Sequence, residues 1–466
     1  ISEKVMEHAR FENLNRNIYL FCENILNKKD GFEAIKNFLN RDIPSIKGKK
    51  SGEKIIDTEN FTDEIPKVIN NLNNSYLYLQ GPPGSGKTYQ AANAILELIK
   101  RNKKIAITAN SHKVIHNLLE RIEDLAKKQK HSFKGLKMGN VENEDTFFDG
   151  KFVNTEKNEK YFINELKDNK TLLYAGTKYH LSQKYYHNKL DYLFVDEASQ
   201  ISVADLVALG GIAKNIILVG DQMQLGQPVQ GSHPGESGKS VLDYLLQGKD
   251  TIQDSHGVFL KKTYRLHPNL NNFISENFYE NRLLINKKNI NRKIDYKKSS
   301  IIQSEGIHTI LMKHEDRSQT SLEEFEIVKK LMDQLIGSKF IDFDNSERKI
   351  SVNDILIVSP FNAQVNFLKS RLHKDTKIGT IDKFQGMEAP ITIISMTSSS
   401  VEDLPRNKKF FFNRNRLNVA ISRAQCSSII LMNPKLLETP PSDYDEFKLL
   451  NYFQKLMNFE KKIAIN

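Results

Sequence analysis

From about residue 75 onward, short apolar runs alternate with longer amphipathic stretches. The runs are Tyr76–Leu79, Ile105–Thr108, Leu172–Ala175, Tyr192–Val195 and Ile216–Val219. A second series follows at Ile355–Val358, Ile391–Met396 and Ile429–Met432. Brief apolar segments separated by helical periodicity predict parallel strands joined by crossover helices. The pattern therefore gives an α/β fold with two units in tandem and a boundary near residue 255. Ahead of them, residues 1–75 read as helical segments interrupted by a basic turn at Lys47-Gly48-Lys49-Lys50-Ser51-Gly52. Residues 139–160 are polar and rich in Asn, Glu and Lys, which predicts an exposed or mobile loop. Tyr444–Phe459 reads as one amphipathic helix. The expected divisions are thus 1–75, 76–255, 256–440 and 441–466.

Composition adds boundaries to this picture. The 466 residues are 39% hydrophobic and 27% charged, a globular profile with enough apolar material for more than one core. No apolar run reaches the length of a membrane span, and Ile1-Ser2-Glu3-Lys4 opens no signal sequence. The opening also lacks Met, so a fragment or a processed product is expected. Cys22 and Cys426, far apart, fit a reducing, cytoplasmic setting better than a disulfide framework. The formal net charge is +11 and the isoelectric point about 9.2. Phosphate neutralisation by such a chain releases counterions and favours nucleic acid. Lys- and Asn-rich residue usage accounts for the charge equally well.

The strongest local chemistry is GPPGSGKT at 81–88. Gly81, Pro82, Pro83, Gly84, Ser85 and Gly86 form a loop whose backbone N–H groups can turn toward phosphate oxygens. Lys87 supplies a point charge to the β- and γ-phosphates, and Thr88 offers a hydroxyl to Mg²⁺. A strand enters and a helix leaves, so the helix N-terminus adds a favourable dipole. Ser237-Gly238-Lys239-Ser240 lacks the leading glycine and a preceding strand, and reads as a helix start. Asp196 and Glu197 follow the run Tyr192–Val195. A carboxylate at a strand end suits a Mg²⁺ ligand, here Asp196, and Glu197 can then activate water.

Seven segments occur in one order: GPPGSGKT, DEASQ (196–200), GDQMQLGQP (220–228), YRLHP (264–268), SPFNAQ (359–364), TIDKFQGMEAPITIIS (380–395) and NRLNVAISRA (415–424). Over residues 76–435 this series resembles the superfamily 1 helicases, in the branch of the nonsense-mediated-decay helicase. The resemblance implies two RecA-like P-loop domains, the second without a P-loop of its own, preceded by a small helical segment. It implies ATP and Mg²⁺ as cofactors and single-stranded DNA or RNA as partner. Residue by residue, it gives Gln222 a γ-phosphate sensing role, Arg265 and Arg423 the role of arginine fingers, Glu388 a contact with the nucleotide sugar, and Tyr264 a stacking position on the base. A finger supplied from a second domain would make hydrolysis depend on closure. The branch travels 5′ to 3′. One departure is visible: no glutamine precedes Gln80, and FTDEIPKVI (61–69) stands where relatives carry the residue that reads adenine. Loose base selectivity is expected.

GSHPGESGKSVLDYLL (231–246) and EDLPRNKKFFFNRNRLNVAISRAQC (402–426) also resemble bacterial proteins that join a RecB-like nuclease to a helicase of this branch. FEAIKNFLNRDIPSIKG (32–48) resembles the segment between the two parts, so an upstream nuclease is expected. Weaker features remain open. His112 and His116 have zinc-like spacing, but Lys113 stands where a zinc protease has Glu, which favours a polar helix face touching nucleic acid. Arg282, Lys287, Lys288, Arg292, Lys293, Lys297 and Lys298 either contact phosphates or form a solvated basic loop. Thr177 is either a backbone grip or a turn residue. Three functions compete: a translocating helicase, a nucleic-acid-stimulated ATPase that clamps or remodels complexes, and a nucleotide-timed binding module.

Overall fold

The computed structural model describes residues 3–168, 170–226, 233–384, 386–405, 408–459 and 462–464. Gln227 and Pro228 of GDQMQLGQP, Gly231 and Ser232, Gln385 of QGMEAP, and Arg406 and Asn407 lie outside them. The chain divides into two compact units. The first comprises Ile1–Pro82, Gly86–Gln222 and Gly226–Leu260, so the N-terminal helices Glu3–Leu26, Glu33–Asn40 and Phe61–Asn70 belong to it. The second comprises Pro83–Ser85, Met223–Leu225 and Lys261–Asn466.

The first unit is built on eight parallel strands: β1 (Tyr76–Gln80), β2 (Ile105–Thr108), β3 (Gly135–Met138), β4 (Val153–Glu156), β5 (Leu173–Ala175), β6 (Leu190–Val195), β7 (Ala213–Gly220) and β8 (Gly257–Phe259). Their order is β4-β3-β5-β2-β6-β7-β1-β8. A parallel sheet covered on both faces needs apolar residues at successive positions, which is why β1, β2, β5, β6 and β7 read as continuous runs. Register pairs Tyr78 with Leu218 and Phe194 with Ile217. Leu77, Leu79, Ile107, Phe194 and Val219 pack with Ala91, Ile95 and Leu98 of helix Lys87–Lys100 and with Ile115, Leu118 and Ile122 of helix His112–Lys128. Pro66 sits inside helix Phe61–Asn70 and has no N–H for the Thr62 carbonyl. That carbonyl accepts instead from Asn93 Nδ2 at 2.7 Å, joining the N-terminal segment to the helix after the P-loop.

Residues 139–160 depart from the expected loop. Val153–Glu156 forms the edge strand β4, paired with β3, and a helix starts at Glu159. The buried carboxylate of Glu123 orders the approach to it, accepting the backbone N–H groups of Lys151, Phe152 and Val153 at 2.8, 2.8 and 3.1 Å. Phe148 is buried and packs near the His116 ring. A polar composition therefore hid a segment held by backbone donors on one buried acid.

The main sheet of the second unit contains β9 (Gly306–Leu311), β10 (Ile355–Val358), β11 (Lys377–Gly379), β12 (Ala389–Ser395), β13 (Ala424–Met432) and β14 (Lys462–Ala464), all parallel, in the order β11-β10-β12-β13-β9-β14. Helix Leu322–Leu335 buries Phe325, Val328 and Leu331 against it. Helix Tyr444–Phe459 spans the predicted residues and buries Leu450, Phe453 and Leu456. The 282–298 stretch is only partly a solvated basic loop. Arg292 is buried, with Nε 2.7 Å from Asp342 Oδ1, and Lys297 Nζ donates to the carbonyls of Asp333 and Ile336 at the end of helix Leu322–Leu335. Two alternating sheets with flanking helices make both units α/β, each of the RecA type. Among the described residues, no helix is long and apolar enough to cross a membrane.

Candidate active site

Parallel strands deliver their carboxyl ends to one edge, and ligands of open α/β sheets collect there. In the first unit β7 lies between β1 and β6. The loop leaving β1 and the acidic pair leaving β6 are thereby neighbours but one on the same edge. The loop requires glycine at two positions for different reasons. A Cβ on Gly81 would collide with the Cβ of Lys87, and Gly86 caps helix Lys87–Lys100 in the left-handed region at φ 81°.

Lys87 leaves this helix N-terminus and pairs with Glu197, Nζ to Oε1 3.2 Å, both side chains mostly buried. Asp196 is buried beside them. Its N–H donates to the Thr108 carbonyl, and its Oδ1 accepts from the Glu197 N–H, each at 2.9 Å. Burial first, then the adjacent Glu197 carboxylate, pushes the Asp196 carboxyl up; Lys87 opposes the shift. Glu197 holds a left-handed backbone at φ 48°, an uncommon conformation for its type and one that clusters at functional sites. Ser85 Oγ, Thr108 Oγ1 and Glu197 Oε2 are buried without a protein hydrogen-bond partner. Buried polar atoms are nearly always satisfied, so these mark where an outside group completes the chemistry. A cation, two carboxylates and open hydroxyls fit a magnesium–triphosphate. Thr88, half-buried on the first helical turn, adds another hydroxyl.

Gln222 is placed differently from a group reaching toward phosphate. Its Oε1 accepts from Tyr78 OH and Gln80 Nε2, each at 2.9 Å, and its Nε2 donates to the Asp250 carbonyl. Gln80 also binds the Asp250 carbonyl and accepts from Ile252 N–H at 2.7 Å. Gln222 thus serves a buried amide network at the ends of β1 and β7. Gln224, two residues further along, is also buried, and nothing in the sequence pattern singles it out.

The second unit gathers residues that are far apart in sequence. Arg265 Nε lies 2.5 Å from Glu388 Oε2, and its Nη1 donates to the Ser422 carbonyl at 3.1 Å. Glu388 Oε1 accepts from Gln425 Nε2 at 2.9 Å. Burial raises the Glu388 carboxyl, but Arg265 and the Gln425 hydrogen bond outweigh it and leave it below its ordinary value. Arg423 is buried, and its Nη1 donates to the Met387 carbonyl at 3.2 Å. Tyr264 is 55% exposed, its ring available to a ligand face. The backbone from Thr263 to Leu266 is tied from behind. Asn289 Nδ2 donates to the Thr263 and Leu266 carbonyls, both at 3.0 Å, and Arg292 Nη1 to those of Tyr264 and Arg265. Gln425, Asn289 and Arg292 were not legible as site residues, because each acts through the backbone or through another side chain.

Of the weaker candidates, His112 and His116 lie on helix His112–Lys128 with ring centroids 6.3 Å apart. Burial first, then the Lys137 ammonium, holds both imidazoles below their ordinary value, His116 at about 4. Among the described residues no group of three potential metal ligands occurs. Thr177 stands just before helix Lys178–Leu181. Ser240, in the SGKS segment, caps helix Val241–Leu246 by accepting from Asp243 N–H.

Two family models, each described as an AAA domain, match residues 66–229 and 238–435. The first covers the P-loop and the acidic pair, the second both arginines and Glu388. The chain belongs to the superfamily 1 helicases. Its branch holds the nonsense-mediated-decay and Dna2 helicases. The DNA replication ATP-dependent helicase/nuclease dna2 of Schizosaccharomyces pombe is 25% identical over 385 residues, covering 76% of this chain and 26% of that protein. The DNA polymerase alpha-associated DNA helicase A of the same yeast is 26% identical over 401 residues, 74% of this chain and 59% of its own length. The Regulator of nonsense transcripts 1 homolog of Arabidopsis thaliana is 24% identical over 461 residues, 82% and 34% respectively. This helicase-family chain therefore spans between about a quarter and three-fifths of these relatives.

Proposed function

We propose that this protein is an ATP-dependent nucleic-acid helicase or translocase that moves 5′ to 3′ on single strands. The observation that carries the reading is the Lys87–Glu197 pair with Asp196 buried at its side, at the carboxyl edge of a parallel sheet. Residues 81–86 would receive the phosphates through their N–H groups, with Lys87 on the β- and γ-phosphates. Thr88 and Asp196 would hold Mg²⁺, which when bound shields the phosphate charge. Glu197 would take a proton from the attacking water, released for that task when Lys87 turns to phosphate. Arg265 and Arg423 would supply positive charge to the γ-phosphate, Glu388 would meet the sugar, and Tyr264 would stack on the base. Gln222, committed to Tyr78 and Gln80, suits a role in carrying movement of the loop after β7 into the sheet; Gln224 is the other candidate for phosphate sensing.

The net charge of +11 supports single-stranded DNA or RNA as the partner, and the relatives' names include a DNA replication helicase/nuclease and a regulator of nonsense transcripts. The test is ATP turnover with and without single-stranded DNA and RNA, followed by strand displacement on duplexes with a 5′ or a 3′ tail. Stimulated turnover with displacement from the 5′ tail alone is expected. Displacement confined to the 3′ tail refutes the direction. Stimulation without displacement makes the protein a clamp, and turnover indifferent to strands makes it a timer. Strand affinity should fall steeply with salt.

A further inference from the structure

The second unit presents Arg265 already bonded to an acid, and that acid is itself held. Glu388 has both carboxylate oxygens engaged, Oε2 by Arg265 at 2.5 Å and Oε1 by Gln425 at 2.9 Å. The backbone around Arg265 is tied, since Asn289 and Arg292 bind the carbonyls of residues 263–266. With these carbonyls tied, side-chain torsions are the readiest way to move the guanidinium. While it stays on Glu388, its charge is cancelled at contact distance, and a neutralised guanidinium does little for developing charge on phosphate oxygens. The Glu388 side chain is 42% exposed, so water can take the place of Arg265 on it and the pair can open.

We propose that Glu388 and Gln425 are positioning residues for Arg265. The carboxylate holds and neutralises the arginine until the pair opens, and the Gln425 amide fixes the carboxylate in the pose that does so. The inference rests on the reading of Arg265 as a group serving the γ-phosphate. Gln425 suits its part because it is neutral: it binds Oε1 without competing for the charge. A cation there would draw Glu388 off Arg265. The same contacts link the two arginines. Arg265 Nη1 binds the carbonyl of Ser422, the residue before Arg423, while Arg423 binds the carbonyl of Met387, the residue before Glu388. Ala389 N–H closes the ring on the Arg423 carbonyl at 3.1 Å.

The experiment measures kcat and KM for ATP at saturating magnesium without nucleic acid, on the whole chain, for Glu388→Gln, Gln425→Leu, Gln425→Arg, Arg265→Ala and the double variant Arg265→Ala/Glu388→Gln. Melting curves show that each is folded. Glu388→Gln and Gln425→Arg should raise kcat by about two- to fivefold, the equilibrium worth of a partly exposed ion pair. Gln425→Leu should raise it less and leave KM unchanged. The double variant should be as slow as Arg265→Ala. If Arg265→Ala is slow but neither Glu388→Gln nor Gln425→Arg exceeds the parent, the positioning proposal is overturned while the reading of Arg265 stands. If Arg265→Ala turns over at the parent rate, that reading fails and takes the proposal with it. Should Glu388→Gln not fold, the two Gln425 variants decide alone.

Discussion

Replacing Glu197 by Gln and Lys87 by Ala should move ATP affinity in opposite directions. Nζ of Lys87 and Oε1 of Glu197 are 3.2 Å apart, with less than a fifth of either side chain exposed. At an effective dielectric of about 20 their attraction is on the order of 5 kcal/mol. That attraction must be surrendered when Lys87 turns to phosphate. The amide introduced by Glu197→Gln keeps a weaker bond, so only part of the cost disappears, and this variant should bind ATP about tenfold more tightly. The same change removes the negative neighbour that pushes Asp196 up, which leaves Asp196 a more readily ionised ligand. Turnover should nevertheless fall by about 10²–10⁴, the usual worth of a general base. Lys87→Ala acts the other way. It leaves Asp196 and Glu197 side by side with no cation, so a triphosphate is repelled and affinity should drop by roughly 10² or more. Equilibrium titration of a fluorescent ATP analogue, with single-turnover hydrolysis in parallel, separates binding from chemistry. Equal loss of affinity in the two variants refutes this account of the pair.

Arg423→Ala should lower kcat by about 10²–10⁴ with little change in KM, because a charge aimed at the γ-phosphate matters most in the transition state; a variant with the parent kcat removes Arg423 from the site. Glu123→Ala strands three backbone donors, one of them fully buried, and should cost about 3–5 kcal/mol in urea unfolding, with faster hydrogen exchange across residues 135–156; a loss under about 1 kcal/mol would show that water replaces the carboxylate. Nucleotide selectivity should be loose, so hydrolysis of GTP within a few-fold of ATP is expected, and a strong preference for ATP would mean that another group reads the base.

What was readable in the sequence followed from adjacency. Asp196 and Glu197 lie directly beyond one apolar run and Lys87 beyond the glycine-rich loop that leaves another, and a parallel sheet brings the ends of such runs to one edge, so these positions can be located. The apolar runs themselves placed β2, β6, β7 and β10, and amphipathic periodicity placed the helix Tyr444–Phe459. What was hidden depends on bonds that leave no periodic mark. Glu123 holds residues 151–153 from a helix whose sequence shows only an ordinary acidic position. Arg292 looked like one charge among seven, yet it is buried under the loop that carries Arg265. Gln222 and Gln224 share a loop, and composition cannot tell which amide turns into the body of the unit; Tyr78 and Gln80 decide it for Gln222.

Both units share one electrostatic device. Lys87 in the first and Arg265 in the second are the basic groups proposed to meet phosphate, and each is bound to a glutamate, Glu197 and Glu388. A buried cation without an acid beside it would be costly, and two such cations would attract any polyanion indiscriminately. Pairing each with a carboxylate solves both problems, and it sets a threshold. A ligand must offer enough negative charge, in the right place, to outcompete a carboxylate at contact distance. A triphosphate with magnesium would do so at Lys87, and the carboxylate it would displace is the one proposed to act on water. Displacement and activation would then be a single event, and on this reading the first unit would become competent for hydrolysis only as the nucleotide seats. In the second unit the displaced acid is proposed to meet the sugar and not the water, so its pair sets how readily Arg265 is released, and changes at Gln425, which leave the sugar contact in place, should alter the rate of turnover more than the affinity for ATP.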